Sequence, residues 1–126
     1  MSVLVADDSL FMRRLICRVL SMAGFKSIIE ATDGLDAVNK FLEHSPQVIL
    51  MDINMPNKNG IDAAKEILSI DPSSKIIMLT AVDQIWAKNE AMRMGVTAFL
   101  AKPFKQEELI NTVSKVLFPS SCKEFV

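Results

Sequence analysis

The side chains best suited to chemistry in this chain are three acids, a hydroxyl and an amine: Asp7 and Asp8 as a pair, Asp52, Thr80 and Lys102. Each follows an apolar run, namely Val3–Ala6, Val48–Met51, Ile76–Leu79 or Phe99–Ala101. None of these runs alternates polar with apolar residues, which is the pattern of a parallel strand buried on both faces. Paired in one sheet, such strands bring the five side chains to one carboxyl edge. Carboxylates crowded at a rim repel one another, and a bound cation removes that conflict. All-oxygen donors suit Mg²⁺, which keeps several waters and takes substrate oxygens as further ligands; Mn²⁺ can replace it. With charge offset by the cation and by Lys102, a carboxylate oxygen can attack phosphorus in line. Asp52, alone at the end of the central run, is assigned as that nucleophile, and the Asp7-Asp8 pair shares the metal. Thr80 would donate its hydroxyl proton to one phosphoryl oxygen and Lys102 would pair with another.

The elements that must position these groups fit a single compact domain. Half of the 126 residues are hydrophobic, enough for one real core and too few residues for a second. Lys and Arg number 14 against 15 Asp and Glu, so no basic footprint marks a nucleic-acid or anionic-membrane surface. The chain opens directly into a strand and contains no apolar stretch of bilayer length, so the expectation is a cytoplasmic protein. Cys17, within an apolar helix, and Cys122, near the end, lack metal-ligand spacing. They read as buried filler and an exposed tail thiol.

Strands alternate with helical patterns along the whole sequence, the order of an α/β protein with helices on both faces of its sheet. The first helix is capped by Ser9 and carries Met12, Leu15, Ile16, Val19 and Leu20 at helical spacing up to Gly24, leaving Arg13, Arg14 and Arg18 toward water. A short strand at Ser27 to Glu30 leads to Asp33, the cap of a helix with Ala37, Val38, Phe41 and Leu42 inward. A turn at residues 54–60 precedes a helix over 61–70, closed by Asp71-Pro72. The next helix runs to Met94 before Gly95, and the last follows Pro103-Phe104 and reaches Leu117.

Asp7-Asp8 after the first strand, Asp52 followed by Met55-Pro56 and Gly60, Thr80-Ala81, and Lys102-Pro103-Phe104 form a specific set in order, spacing and chemistry. Together they resemble the receiver domain of two-component response regulators, over roughly residues 2 to 117. The resemblance implies a flavodoxin-like α/β three-layer sandwich, a five-stranded parallel sheet in the order 2-1-3-4-5 with five helices and the acidic pocket outside the strand ends. It implies Asp52 as phospho-acceptor, Asp8 as a direct Mg²⁺ ligand, Asp7 as a second acid acting through water, and Asn54 as donor of a backbone carbonyl. Lys102-Pro103 matches a pair joined by a cis peptide bond in this family. Thr80 and the aromatic residue of strand five, here Phe99, move together in the family when phosphate arrives. Phe99 replaces the commoner tyrosine and, lacking a hydroxyl, favours the inward position.

The implied phosphodonor is a histidine kinase or histidine phosphotransfer protein, and a downstream protein target meets the face of helix four, strand five and helix five. Residues 1–118 are expected to form the receiver and 119–126 a tail or the start of a linker. The expected protein is a chemotaxis-type, stand-alone switch that assists its own phosphorylation and dephosphorylation without being a turnover enzyme; the alternative is a receiver cut from a longer regulator. It is expected to be monomeric, with dimerisation on phosphorylation left open. Ile85, Lys88 and Met92 of the fourth helix, with Phe99, form either a partner surface or a widened buried stripe beside Ala87, Ala91 and Met94. Trp86 should face the surface, and His44 should complement a helix C-terminus rather than serve as a ligand. Val82 and Asn54 should line the approach to the phosphate, and Phe11, Met12 and Arg13 could dock a phosphodonor. A haloacid dehalogenase-type phosphatase fits poorly because it places its acids as Asp-x-Asp after one strand. A flavodoxin fits poorly because Asp7-Asp8 would repel the phosphate of flavin. The complete set of acids, Thr and Lys argues against a degenerate module that only binds protein.

Overall fold

The computed structural model describes residues 2–81 and 83–119. Val82, Cys122 and the tail beyond Pro119 lie outside the described residues. Strands and helices alternate as β1 (Ser2–Ala6), α1 (Leu10–Met22), β2 (Ser27–Ala31), α2 (Gly34–His44), β3 (Val48–Asp52), α3 (Gly60–Ile70), β4 (Ile76–Thr80), α4 (Ile85–Met94), β5 (Ala98–Ala101) and α5 (Gln106–Leu117). The strands pair in parallel in the order β2-β1-β3-β4-β5, the expected topology. Strands β3 and β4 are buried along their full length, as their unbroken apolar runs require.

Side chains alternate across the sheet and build a core on each face. Val3, Val5, Leu50, Ile77 and Leu79 pack with Ile16 and Leu20 of α1 and with Leu109 and Val113 of α5. Leu4, Ala6, Ile49, Met51, Ile76 and Met78 pack with residues of α2, α3 and α4. The alternation therefore decides on which side of the sheet a residue at a strand end emerges.

Local chemistry sets the helix starts. The Ser9 hydroxyl accepts from the Met12 N–H at 3.2 Å, Asp33 Oδ1 from the Asp36 N–H at 2.7 Å, and Asn59 Oδ1 from the Asp62 N–H at 2.9 Å. Helix α4 stops at Gly95, whose φ of 94° is left-handed. Ala87 and Ala91 are buried with Met94 packed against them, whereas Trp86 is exposed. His44 lies in the last turn of α2, as expected.

Leu42 departs from its expected inward position and is 57% exposed, and Leu15 is also exposed. Ala37, Val38 and Phe41 already span the stripe of α2 that reaches the sheet, and Leu42 falls one step further round the helix. Cys17 is half-buried rather than enclosed, and burial, then the Glu30 charge, push its thiol pKa up to about 11. No helix among the described residues is long and apolar enough to cross a membrane.

Candidate functional site

Strand register builds the site. Val5 pairs with Leu50 and Ala6 with Met51, so continuing the register by one residue sets Asp7 beside Asp52. Asp7, Asp52 and Lys102 follow the alternation of Val5, Leu50 and Leu100, whose side chains face α1 and α5. Thr80 follows Ile76 and Met78 toward the opposite face, which also receives Phe99. The Lys102 N–H donates to the Thr80 carbonyl at 2.6 Å, tying the tips of β4 and β5 together. The Lys102-Pro103 peptide is cis.

Carboxylate oxygens of Asp7, Asp8 and Asp52 all lie within 4.8 Å of one another. Asp7 and Asp52 are buried and Asp8 is exposed. Lys102 Nζ bridges the buried pair, donating to Asp7 Oδ2 at 3.2 Å and to Asp52 Oδ1 at 3.1 Å. The other oxygen of Asp7 accepts from the Ser9 N–H at 2.9 Å at the start of α1. Behind Asp52 the chain folds back, and the Gly60 N–H donates to the Ile53 carbonyl at 2.8 Å. A Cβ at Gly60 would collide with the Asp52 carbonyl, so this approach requires glycine.

Burial is the largest influence on Asp52 and raises its pKa above the ordinary carboxyl value; the Asp7 charge adds to the rise and Lys102 opposes it. Burial alone would lower the Lys102 pKa, but Asp52 and Asp7 outweigh it and the net shift is upward. One ammonium thus serves two carboxylates while a third acid stands at the mouth, leaving the cluster short of positive charge. An oxygen-only donor set with a charge deficit and one solvent-facing member fits a hard divalent cation.

The remaining expected site residues are placed around this cluster. Asn54 is exposed two residues past Asp52. Thr80 is buried, and with Ala81, Gln84, Ile85, Lys88 and Ala101 it lines a cavity of about 260 Å³ between the rim and α4. Phe99 is half-buried against the core beneath α4, with Lys88 Nζ 5.3 Å from its ring centroid. Ile85 and Met92 are 67% and 59% exposed, which decides against a widened buried stripe. Gln84 was absent from the expected set; it is buried and its Oε1 accepts from the Ala81 N–H at 2.8 Å, pinning the turn after Thr80. A polar residue directly before a helix was its only signal in the sequence.

Arg13 corrects the expectation of a side chain facing water. It is 8% exposed, with Nη1 donating to the Asp7 carbonyl at 2.8 Å and Nε to Glu30 Oε1 at 3.0 Å. So enclosed, it cannot dock a phosphodonor; of its neighbours, Met12 is half-buried and Phe11 exposed.

Residues 3–114 match the response regulator receiver domain. The chain belongs to this family. It is 42% identical over 114 residues to the chemotaxis protein CheY of Thermotoga maritima, covering 90% of this chain and 95% of that protein. Identity to CheY of Bacillus subtilis is 40% over 115 residues, with 91% and 96% covered. Among solved structures, Vibrio cholerae chemotaxis protein CheY4 superposes with a TM-score of 0.85 at 33% identity, covering 92% of this chain and 98% of that one.

Proposed function

We propose that this receiver domain, taken as residues 1–118 with 119–126 as a tail or linker start, is a switch in chemotaxis-type signalling set by phosphorylation of Asp52. The observation that carries this reading is the shared bridge of Lys102 to Asp7 and Asp52, with Asp8 in the same cluster at the carboxyl edge of the sheet. An Asp52 carboxylate oxygen attacks the phosphorus of a phosphohistidine on a kinase or phosphotransfer protein. The P–N bond breaks as the P–O bond forms, and the electron pair leaves with the imidazole. Lys102 pairs with a phosphoryl oxygen and the Thr80 hydroxyl donates to another. Asp7, Asp8, Asp52 and the Asn54 backbone carbonyl would hold Mg²⁺, with Mn²⁺ as a substitute. When bound, the cation offsets charge on the transferring group and so supports both transfer and hydrolysis.

Water attack on the same phosphorus breaks the bond to Asp52, releases phosphate and restores the carboxylate. The chain thus assists its own modification and its reversal without turning over a substrate of its own. Capture of the phosphoryl group by Thr80 draws on the buried hydroxyl beside the α4 cavity. Lys88 and Ile85 line that cavity, Lys88 also reaches over the Phe99 ring, and Ile85 with the exposed Met92 forms the face offered to a downstream protein. Intact-mass analysis after incubation with acetyl phosphate and Mg²⁺ tests the acceptor. The parent is expected to gain one phosphoryl mass and Asp52→Asn none; equal labelling of both would move the acceptor elsewhere.

A further inference from the structure

The contacts of Arg13 converge on the backbone that carries the acidic pair. Asp7 is held at its N–H by the Ala31 carbonyl at 3.2 Å, and at its side chain by Ser9 and Lys102. Its carbonyl oxygen is held by Arg13 Nη1 at 2.8 Å. A peptide unit is planar, so fixing that oxygen fixes the plane joining Asp7 to Asp8 and the point from which the Asp8 side chain departs. Asp8 is the exposed member of the cluster and enters the site from this peptide. Glu30, on β2, takes the Nε donor at 3.0 Å, so the guanidinium is gripped from a different strand and its charge is compensated where it lies.

We infer that Arg13 is a positioning residue for the divalent-cation site, holding the Asp7-Asp8 peptide so that Asp8 is presented to the metal, with Glu30 holding Arg13 in turn. The inference rests on the metal-binding reading proposed above. Its sign separates it from simple electrostatics. A guanidinium this close to a cation site repels the cation, so by charge alone its removal should tighten binding. Positioning requires the opposite.

Isothermal titration of the metal-free chain with MgCl₂ tests the inference, with thermal unfolding in EDTA measured alongside. Arg13→Met keeps length, apolar packing and helix propensity while removing donor and charge; Glu30, half-exposed and still 3.5 Å from Arg14, is not left stranded. Arg13→Gln is a polar second variant that is too short for both contacts. Each is expected to bind Mg²⁺ about tenfold more weakly than the parent, the size of effect typical of partners that orient a metal ligand. Arg13→Lys, which retains the charge and a donor for the Asp7 carbonyl, is expected to bind more tightly than either. Parent-like or tighter Mg²⁺ binding in Arg13→Met or Arg13→Gln would overturn the inference, even with a lowered melting temperature, because a purely structural role moves stability alone. No Mg²⁺ uptake by the parent would remove the metal-binding reading itself, and the inference with it.

Discussion

At Asp52 the requirements of the proposed phosphoryl transfer oppose those of the apo fold. Burial and the Asp7 carboxylate raise its pKa, and Lys102 only partly counters them. From the ordinary carboxyl range up to that raised value, the folded chain keeps a proton that the unfolded chain has lost. Stability therefore falls as pH rises through this window, and the loss persists above it. Asp52→Asn removes the ionisation while leaving Lys102 its bond to Asp7. In EDTA near neutral pH, Asp52→Asn should melt at a higher temperature than the parent. The difference should shrink as pH falls into the ordinary carboxyl range, where both side chains are neutral. A pH-independent difference in melting temperature would show that Asp52 does not set this cost.

Among the elements, the loop from β3 to α3 is tightly constrained where it enters the helix at Gly60. Its return over Asp52 leaves no space for a side chain at Gly60, where the obstacle is backbone rather than a movable side-chain end. Gly60→Ala is expected to cost about 1–3 kcal/mol, the usual range for overpacking, visible as a lowered urea midpoint. Because the displaced atoms belong to Asp52, labelling by acetyl phosphate should also slow. Such strand-and-loop features were legible in the sequence: buried parallel strands read as unbroken apolar runs, and Asp52 and Gly60 fall at the punctuation between elements. Helix faces were less legible. The expectation that Arg13 faces water failed because the groups that bury it, Glu30 on β2 and the Asp7 carbonyl, are not its neighbours along the helix. Leu42 failed for the converse reason, since its type argues for burial and only the width of the sheet contact exposes it.

Across the whole molecule, the acidic rim and the exposed face of α4 are separate surfaces with the cavity lined by Thr80, Ile85 and Lys88 between them. The rim is assembled from the ends of β1, β3 and β5, whereas Ile85 and Met92 extend from a helix whose inner side is anchored by Ala87 and Ala91. On the proposed reading, phosphoryl capture at the rim and target contact on α4 use different side chains, so a substitution can remove the contact without touching the acceptor, while the switch itself requires the two sites to be energetically coupled. Ile85 is 67% exposed, so Ile85→Asp should leave stability within about 0.5 kcal/mol of the parent. Labelling of Asp52 by acetyl phosphate should also be unchanged. If Ile85 is covered when a target docks, losing its apolar contact is worth about 1.5–3 kcal/mol, so affinity of the phosphorylated chain for that target should fall at least about tenfold. Binding of phosphorylated parent and variant to the immobilised target, beside the labelling assay, separates the possible outcomes. Unchanged affinity would place the docking face elsewhere on the molecule, whereas joint loss of labelling and target binding would mean misfolding.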